Sequence, residues 1–315
     1  MLRAYSVFKD LDKEACEVLT NAGIELELAT CEERPNNEQL LELLQHYDIL
    51  IIGVKEKLTE DMLKSINTKK IIATLSIGVD HIDNSFFESN LIKVINCQTS
   101  NVISVAEHIF SLILSLKKRI IEANGIVING GTRKDLSTRG NDISNSTIGI
   151  IGAGKISQAV VRIAKAFNMK IYCNTLRPEK HNDLLKQDIE FLSLDELLSN
   201  SDIITVNIPL NKESKNLISK DKIKLMKKTA TFINTSRAEI IDIDELIKYA
   251  DENASFYVGL DIDVENYKEL LNTKRNNVIV TPHIAGVTKE AIKRMDTELA
   301  NSIKKYLGKI NYGKK

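Results

Sequence analysis

A chain of 315 residues exceeds what one compact core usually holds, so two domains and a cleft are expected. Hydrophobic residues at 43% and charged residues at 27% exclude a disordered chain, and 43 basic against 43 acidic residues leave no net field toward nucleic acid or an anionic membrane. Four scattered cysteines (Cys16, Cys31, Cys97, Cys173) show no metal-like spacing, no apolar run is long enough to span a membrane, and the N-terminus lacks a signal-peptide pattern; the expectation is a cytoplasmic protein without a metal.

From the start, short apolar runs alternate with amphipathic stretches, the rhythm of a parallel sheet covered by helices. Strands are predicted at Ala4–Phe8, Ile24–Ala29, Asp48–Val54, Lys70–Leu75 and Lys93–Asn96, and helices at Asp12–Asn21, Asn37–Leu44 and Thr59–Ser65. Residues Asn101 to Glu122 follow helical spacing with apolar residues around most of the circumference, and Ser104 with Glu107 forms a candidate capping box. This helix is predicted to cross from the first domain into the second. Gly125 to Ser146 is polar and without period, an extended arm.

A second series of strands is predicted at Thr147–Ile151, Lys170–Asn174, Ile203–Asn207, Thr231–Asn234, Tyr257–Asp261 and Val278–Thr281. Thr288 to Leu307 then places its apolar residues on one helical face, with Gly308 as the stop. The reading is of two doubly wound parallel-sheet α/β domains: residues 1–98 with 287–315 as a discontinuous substrate domain, and 99–286 as a dinucleotide-binding domain carrying the 125–146 arm.

The strongest local signal follows Thr147–Ile151. Gly152-Ala153-Gly154-Lys155-Ile156-Ser157 joins that strand to a helix-patterned segment. Gly152 allows the tight turn, Gly154 lets backbone approach a pyrophosphate, and the amides of Lys155 and Ile156 face its oxygens; Ser157 replaces the usual third glycine. At the end of the next strand, Asn174, Thr175 and Arg177 stand where an acid would bind ribose hydroxyls. Without that acid, and with a planar cation present, NADP is favoured over NAD.

Six segments, in order, carry a resemblance: Ser76-Ile77-Gly78-Val79-Asp80-His81, Val105-Ala106-Glu107-His108, Ile208-Pro209-Leu210 with Ser214, Phe232-Ile233-Asn234-Thr235-Ser236-Arg237, Gly259-Leu260-Asp261, and Thr281-Pro282-His283-Ile284-Ala285-Gly286. Over nearly its whole length the chain resembles the D-isomer-specific 2-hydroxyacid dehydrogenases. The resemblance implies two Rossmann-like domains, a flavodoxin-like substrate domain and a dinucleotide-binding domain. It also implies reduction of a small 2-keto acid to a D-2-hydroxy acid. Ser76, Gly78 and Val79 would bind the substrate carboxylate; Ile208, Pro209, Ser214, Thr235, Ser236, Asp261 and Gly286 would flank the cofactor; His108 would be structural.

Arg237 would hold the carboxylate and polarise the keto group, since its planar, always-charged fork suits both. His283 would donate the proton, its unperturbed pKa of about 6.5 allowing release and recovery near neutral pH. The family's glutamate beside this histidine falls five residues after Asp261, where the chain has Asn266, with Glu265 one residue short. Strand alternation lets only one of Glu265 and Asn266 reach His283. An amide there also resembles the formate dehydrogenases of the superfamily, and a dinucleotide-sensing scaffold without turnover is a third reading. Glyoxylate, pyruvate and hydroxypyruvate remain open as substrates, and the arm implies, by resemblance, a homodimer.

Overall fold

In a computed structural model describing residues 1–181, 189–268 and 275–312, the chain divides into two units, Met1–Asn101 with Thr288–Lys315, and Val102–Val287. The first unit carries strands β1 (Leu2–Ser6), β2 (Ile24–Leu28), β3 (Ile49–Ile52), β4 (Lys70–Thr74) and β5 (Ile92–Asn96), all parallel in the order β2-β1-β3-β4-β5. Every residue of β3 is buried, as expected where helices cover both faces of a parallel sheet. Its alternation divides the core. Ile49 and Ile51 join Ala15 and Leu19 of α1 (Lys13–Asn21) and Leu299 and Ile303 of the C-terminal helix (Lys289–Tyr312). Leu50 and Ile52 join Leu40 and Leu44 of α2 (Asn37–His46), Met62 of α3 (Glu60–Lys64) and Phe86 of α4 (Ser85–Glu88).

The C-terminal helix closes this unit by polar bonds as well. Glu298 accepts from the Gln98 amide at 2.6 Å, from the Thr99 amide and hydroxyl at 3.3 and 3.2 Å, and from the Ser100 hydroxyl. Arg294 Nε donates to the Ser100 carbonyl at 2.7 Å. The segment after β5 is thus held by the chain's last helix. That helix runs through Gly308, the predicted stop, to Tyr312, because glycine weakens a helix without ending one that remains packed.

The second unit contains β6 (Thr147–Ile151), β7 (Lys170–Asn174), β8 (Glu190–Phe191), β9 (Ile203–Val206), β10 (Thr231–Asn234), β11 (Tyr257–Asp261) and β12 (Val278–Thr281). They form a parallel sheet in the order β12-β11-β10-β9-β6-β7-β8. The order reverses between β6 and β9, and ligands of such sheets bind outside the carboxyl ends at this point. The helices are α5 (Val102–Lys117), α6 (Ile120–Ile128), α7 (Lys155–Ala166), α8 (Leu194–Asn200), α9 (Lys220–Leu225) and α10 (Ile243–Glu252).

The predicted continuous helix from Asn101 to Glu122 is broken. Arg119 takes left-handed backbone (φ 59°) and starts α6 anew. Its buried guanidinium reaches Glu122, Ser137 Oγ (2.6 Å) and the Tyr257 hydroxyl (3.3 Å), a set of partners that over-determines the strained conformation. Ser104 lies inside α5 and is buried, so it does not cap that helix. The arm begins helical, since α6 runs to Ile128, and Thr132 and Asp135 then form a capping box on one 3-10 turn. Among the described residues no helix is long and apolar enough to cross a membrane.

One buried acid gives the first unit a pH signature. Asp296, on the C-terminal helix, accepts from the Asp12 amide at 2.8 Å, and burial pushes its carboxyl up to about 6. Between about pH 4 and pH 6 the folded state keeps a proton that the unfolded state has released. Stability therefore falls as pH rises through that window, and the penalty is complete above it. Asp296→Asn retains the acceptor and removes the charge. Urea denaturation should show it more stable than the parent at pH 7, by on the order of 2 kcal/mol, with the difference vanishing near pH 4.

Candidate active site

At the carboxyl end of β6, Gly152 has φ 103° and donates its amide to the Asn174 carbonyl at 2.8 Å. A Cβ there would stand 2.6 Å from the Asn207 carbonyl oxygen, so no other residue fits. Gly154 caps α7 with no side-chain bond, and a Cβ on it would meet no heavy atom within 4 Å. The space beside Gly154 at the start of the helix is therefore open, and the first-turn amides of Lys155 and Ile156 have no carbonyl within the helix. A dinucleotide pyrophosphate fits this cradle in charge and in room. Ser157 is fully buried and its Oγ accepts from Asn207 Nδ2 at 3.4 Å, which explains how serine is accommodated where helix meets strand.

Asn174 ends β7 with its Nδ2 donating to the Leu192 carbonyl at 2.9 Å, leaving Oδ1 as its open polar atom. Thr175 is half-buried; Arg177 is exposed and pairs with no described residue. In the loop after β9, Ile208 is half-buried and Pro209 exposed, while Ser214 turns inward. Its Oγ donates to the Pro209 carbonyl at 2.7 Å and accepts from the Asn211 amide at 2.8 Å, so this hydroxyl shapes the loop.

Arg237 follows β10. Fully buried Asn234 brackets it, accepting from the Ser236 amide at 2.9 Å and donating to the Arg237 carbonyl at 2.9 Å. Ser236 Oγ is committed to the Val206 carbonyl at 2.8 Å, and Thr235 is half-buried beside it. The half-buried guanidinium meets the Ser236 carbonyl at 3.1 Å. The asparagine was passed over in the sequence. Its signal is a buried amide at a strand end, where only a bracketing role satisfies both of its polar ends.

His283 follows β12 on left-handed backbone (φ 54°), its amide donating to the Thr281 carbonyl at 3.0 Å. Asp261 holds this turn. Its carboxylate, with no exposed surface, accepts from the amides of Ile284 (2.8 Å) and Ala285 (2.7 Å) and from the Thr281 hydroxyl (2.6 Å). Since Thr281 spends its proton on Asp261, its oxygen accepts from His108 Nε2 at 3.0 Å. Asp261 was expected to face the cofactor, yet most of its capacity is spent on the His283 turn. Gly286, half-buried, ends that turn.

The expected partners of His283 are a correction. Neither Glu265 nor Asn266 bonds to it: both are exposed on a 3-10 turn, Glu265–Tyr267, and the strand geometry assumed for them has ended. The carboxylate beside the imidazole is Asp263, its Oδ2 3.2 Å from Nδ1.

In the first unit, Ser76 Oγ donates to the Gly78 carbonyl at 2.7 Å and meets Thr74 Oγ1 at 2.8 Å, and Asn96 Nδ2 donates to the Ile77 carbonyl at 2.8 Å. The loop is framed by these bonds. The amides of Gly78 and Val79 find no acceptor among the described residues.

A profile of the NAD binding domain of D-isomer specific 2-hydroxyacid dehydrogenases matches residues 110–285. The chain belongs to the D-isomer-specific 2-hydroxyacid dehydrogenase family. It is 32% identical to the hydroxypyruvate reductase of Thermotoga maritima, over 95% of this chain and 96% of that protein. With the glyoxylate reductase of Thermococcus litoralis the identity is 34%, over 89% and 86%. A solved acyclic imino acid reductase in complex with NADPH and D-Arg superposes with a TM-score of 0.88 at 28% identity, covering 98% of both chains. The chain is therefore an NAD(P)-dependent 2-hydroxyacid dehydrogenase with the two parallel-sheet domains of that family.

The dehydrogenase's histidine turn should be its most sensitive element. Asp261→Ala leaves three donors, one buried and two partly buried, without their acceptor, a loss of roughly 3 kcal/mol. A matching fall in the urea midpoint, at unchanged slope, is the expected result.

Proposed function

We infer that the chain reduces small 2-keto acids to D-2-hydroxy acids, with NADPH preferred to NADH. The observation that carries this reading is the shared carboxyl edge of the second sheet. Arg237 leaves it at β10, His283 leaves it at β12 on a turn pinned by Asp261, and the open glycine turn lies at β6. A cation beside a proton donor, on the edge that binds a dinucleotide, suits reduction of a carbonyl next to a carboxylate.

The bound nicotinamide supplies the hydride. Arg237 pairs with the substrate carboxylate and stabilises the charge growing on the keto oxygen. His283 releases its Nε2 proton to that oxygen, giving the hydroxyl, and regains one from solvent. The Ser76–Val79 loop, taken by itself, offers the two amide donors of Gly78 and Val79, a pattern suited to a carboxylate. Glyoxylate and hydroxypyruvate lead the candidate substrates, from the names of the relatives.

The NADPH preference rests on the end of β7, where Asn174 and Thr175 replace an acid and exposed Arg177 is available to a 2′-phosphate. Formate-type oxidation loses its support, because Asn266 does not stand beside His283. We read α6 as the face of a homodimer: Ile121, Val127 and Ile128 are 61%, 69% and 74% exposed on a helix with no buried residue. Four free cysteines suit a reducing compartment, the cytoplasm.

Initial rates with glyoxylate, hydroxypyruvate, pyruvate and 2-ketobutyrate test the reading. Turnover should be at least about tenfold more efficient with NADPH than with NADH, and Arg177→Ala should erase most of that difference. Arg237→Lys should lower kcat/KM by about 10²–10³ and His283→Gln by about 10²–10⁴. Absence of turnover with every acid and both cofactors would refute it. Val127→Asp should convert a dimer to a monomer by light scattering; an unchanged mass would remove α6 from the interface.

A further inference from the structure

A carboxylate stands beside the imidazole of His283 just past the ends of two paired strands. β11 and β12 run parallel with Asp261 opposite Thr281, and the Ile262 amide donates to the Thr281 carbonyl at 3.2 Å just past the paired segment. Past this last pair neither chain is a strand, and the turns that follow bring the residue two after Asp261 to the residue two after Thr281. Those residues are Asp263 and His283, and their Oδ2 and Nδ1 are 3.2 Å apart. The paired register itself ends at Asp261 and Thr281. Val264 turns to right-handed helical backbone (φ −82°, ψ −8°), and the following 3-10 turn carries Glu265 and Asn266 into exposed positions with no side-chain partner among the described residues.

We propose that Asp263 is the positioning residue of His283, accepting from Nδ1–H and so fixing the ring's rotation and tautomer. The proposal rests on the reductase reading above for its kinetic consequence, and on geometry alone for its structural one. With Nδ1 bonded to a carboxylate, Nε2 is the nitrogen left to exchange a proton with substrate oxygen. An imidazole on a left-handed turn has its backbone fixed by Asp261 but not its χ2 angle, and Asp263 supplies that second restraint. Asp263 is largely exposed, and exposed pairs add little to stability, so its replacement leaves the fold intact.

The test compares Asp263→Asn, Asp263→Glu and Glu265→Gln in the full chain. Nitrogen-15 NMR of histidine-labelled protein should show His283 as the Nδ1–H tautomer in the parent and in Glu265→Gln, and a mixed tautomer in Asp263→Asn. On the best keto acid, kcat should fall about 10-fold to 100-fold in Asp263→Asn with KM changed less than about threefold, and Asp263→Glu should recover most of it. A parental tautomer in Asp263→Asn, or a larger effect of Glu265→Gln on either readout, overturns the proposal. If the parent turns over no keto acid, the reductase reading fails while the tautomer measurement still decides the role of Asp263.

Discussion

The carboxylate of Asp261 is the point on which the second unit's chemistry turns. It is buried without exposed surface and accepts two consecutive amides of the chain that has just passed His283, together with the Thr281 hydroxyl. A buried carboxylate costs a great deal unless its lone pairs are met, so the following loop has a strong reason to coil back over it. That coiling is what places His283 on left-handed backbone, an arrangement a non-glycine residue keeps only when its surroundings insist on it. His108, on α5, completes the arrangement by donating to Thr281, so a histidine far away in sequence supports the turn.

A similar economy is seen one strand away. Asn234 uses both ends of its amide to bracket the backbone that presents Arg237, and Ser236 ties that segment to β9. In each case a buried polar side chain at a strand's carboxyl end converts a loop into a rigid mount. The glycine turn at β6 works oppositely. It leaves room by omission, with no side chain on Gly154 and no heavy atom within 4 Å of where its Cβ would stand. Rigid mounts for the charged groups and an opening for the cofactor are both products of the same parallel edge.

The alternating βα rhythm, the Gly152–Gly154 fingerprint and the segments around Arg237 and His283 were legible because each depends on local spacing: period two in strands, a fixed turn length, a strand end followed by a cation. The helix break at Arg119 was not. It arises from Glu122, Ser137 and Tyr257, the last of which lies on another strand, and no local propensity announces it. The continuation of the last helix through Gly308 was hidden for the converse reason, since the local stop signal is outweighed.

By itself the sequence determined the class of chemistry. The order of its motifs, its absence of an acid after β7 and its pair of Arg237 and His283 are properties of residue type and spacing. The tertiary structure alone decided which carboxylate stands beside the histidine. A motif read by counting from Asp261 leads to Asn266 or its neighbour, but the chain leaves the strand after Asp261, and a 3-10 turn holds Glu265 and Asn266 in exposed positions without a bond to His283. Counting assumes that backbone geometry persists; the register of β11 against β12, which can be known only once the strands are paired, shows where it ends.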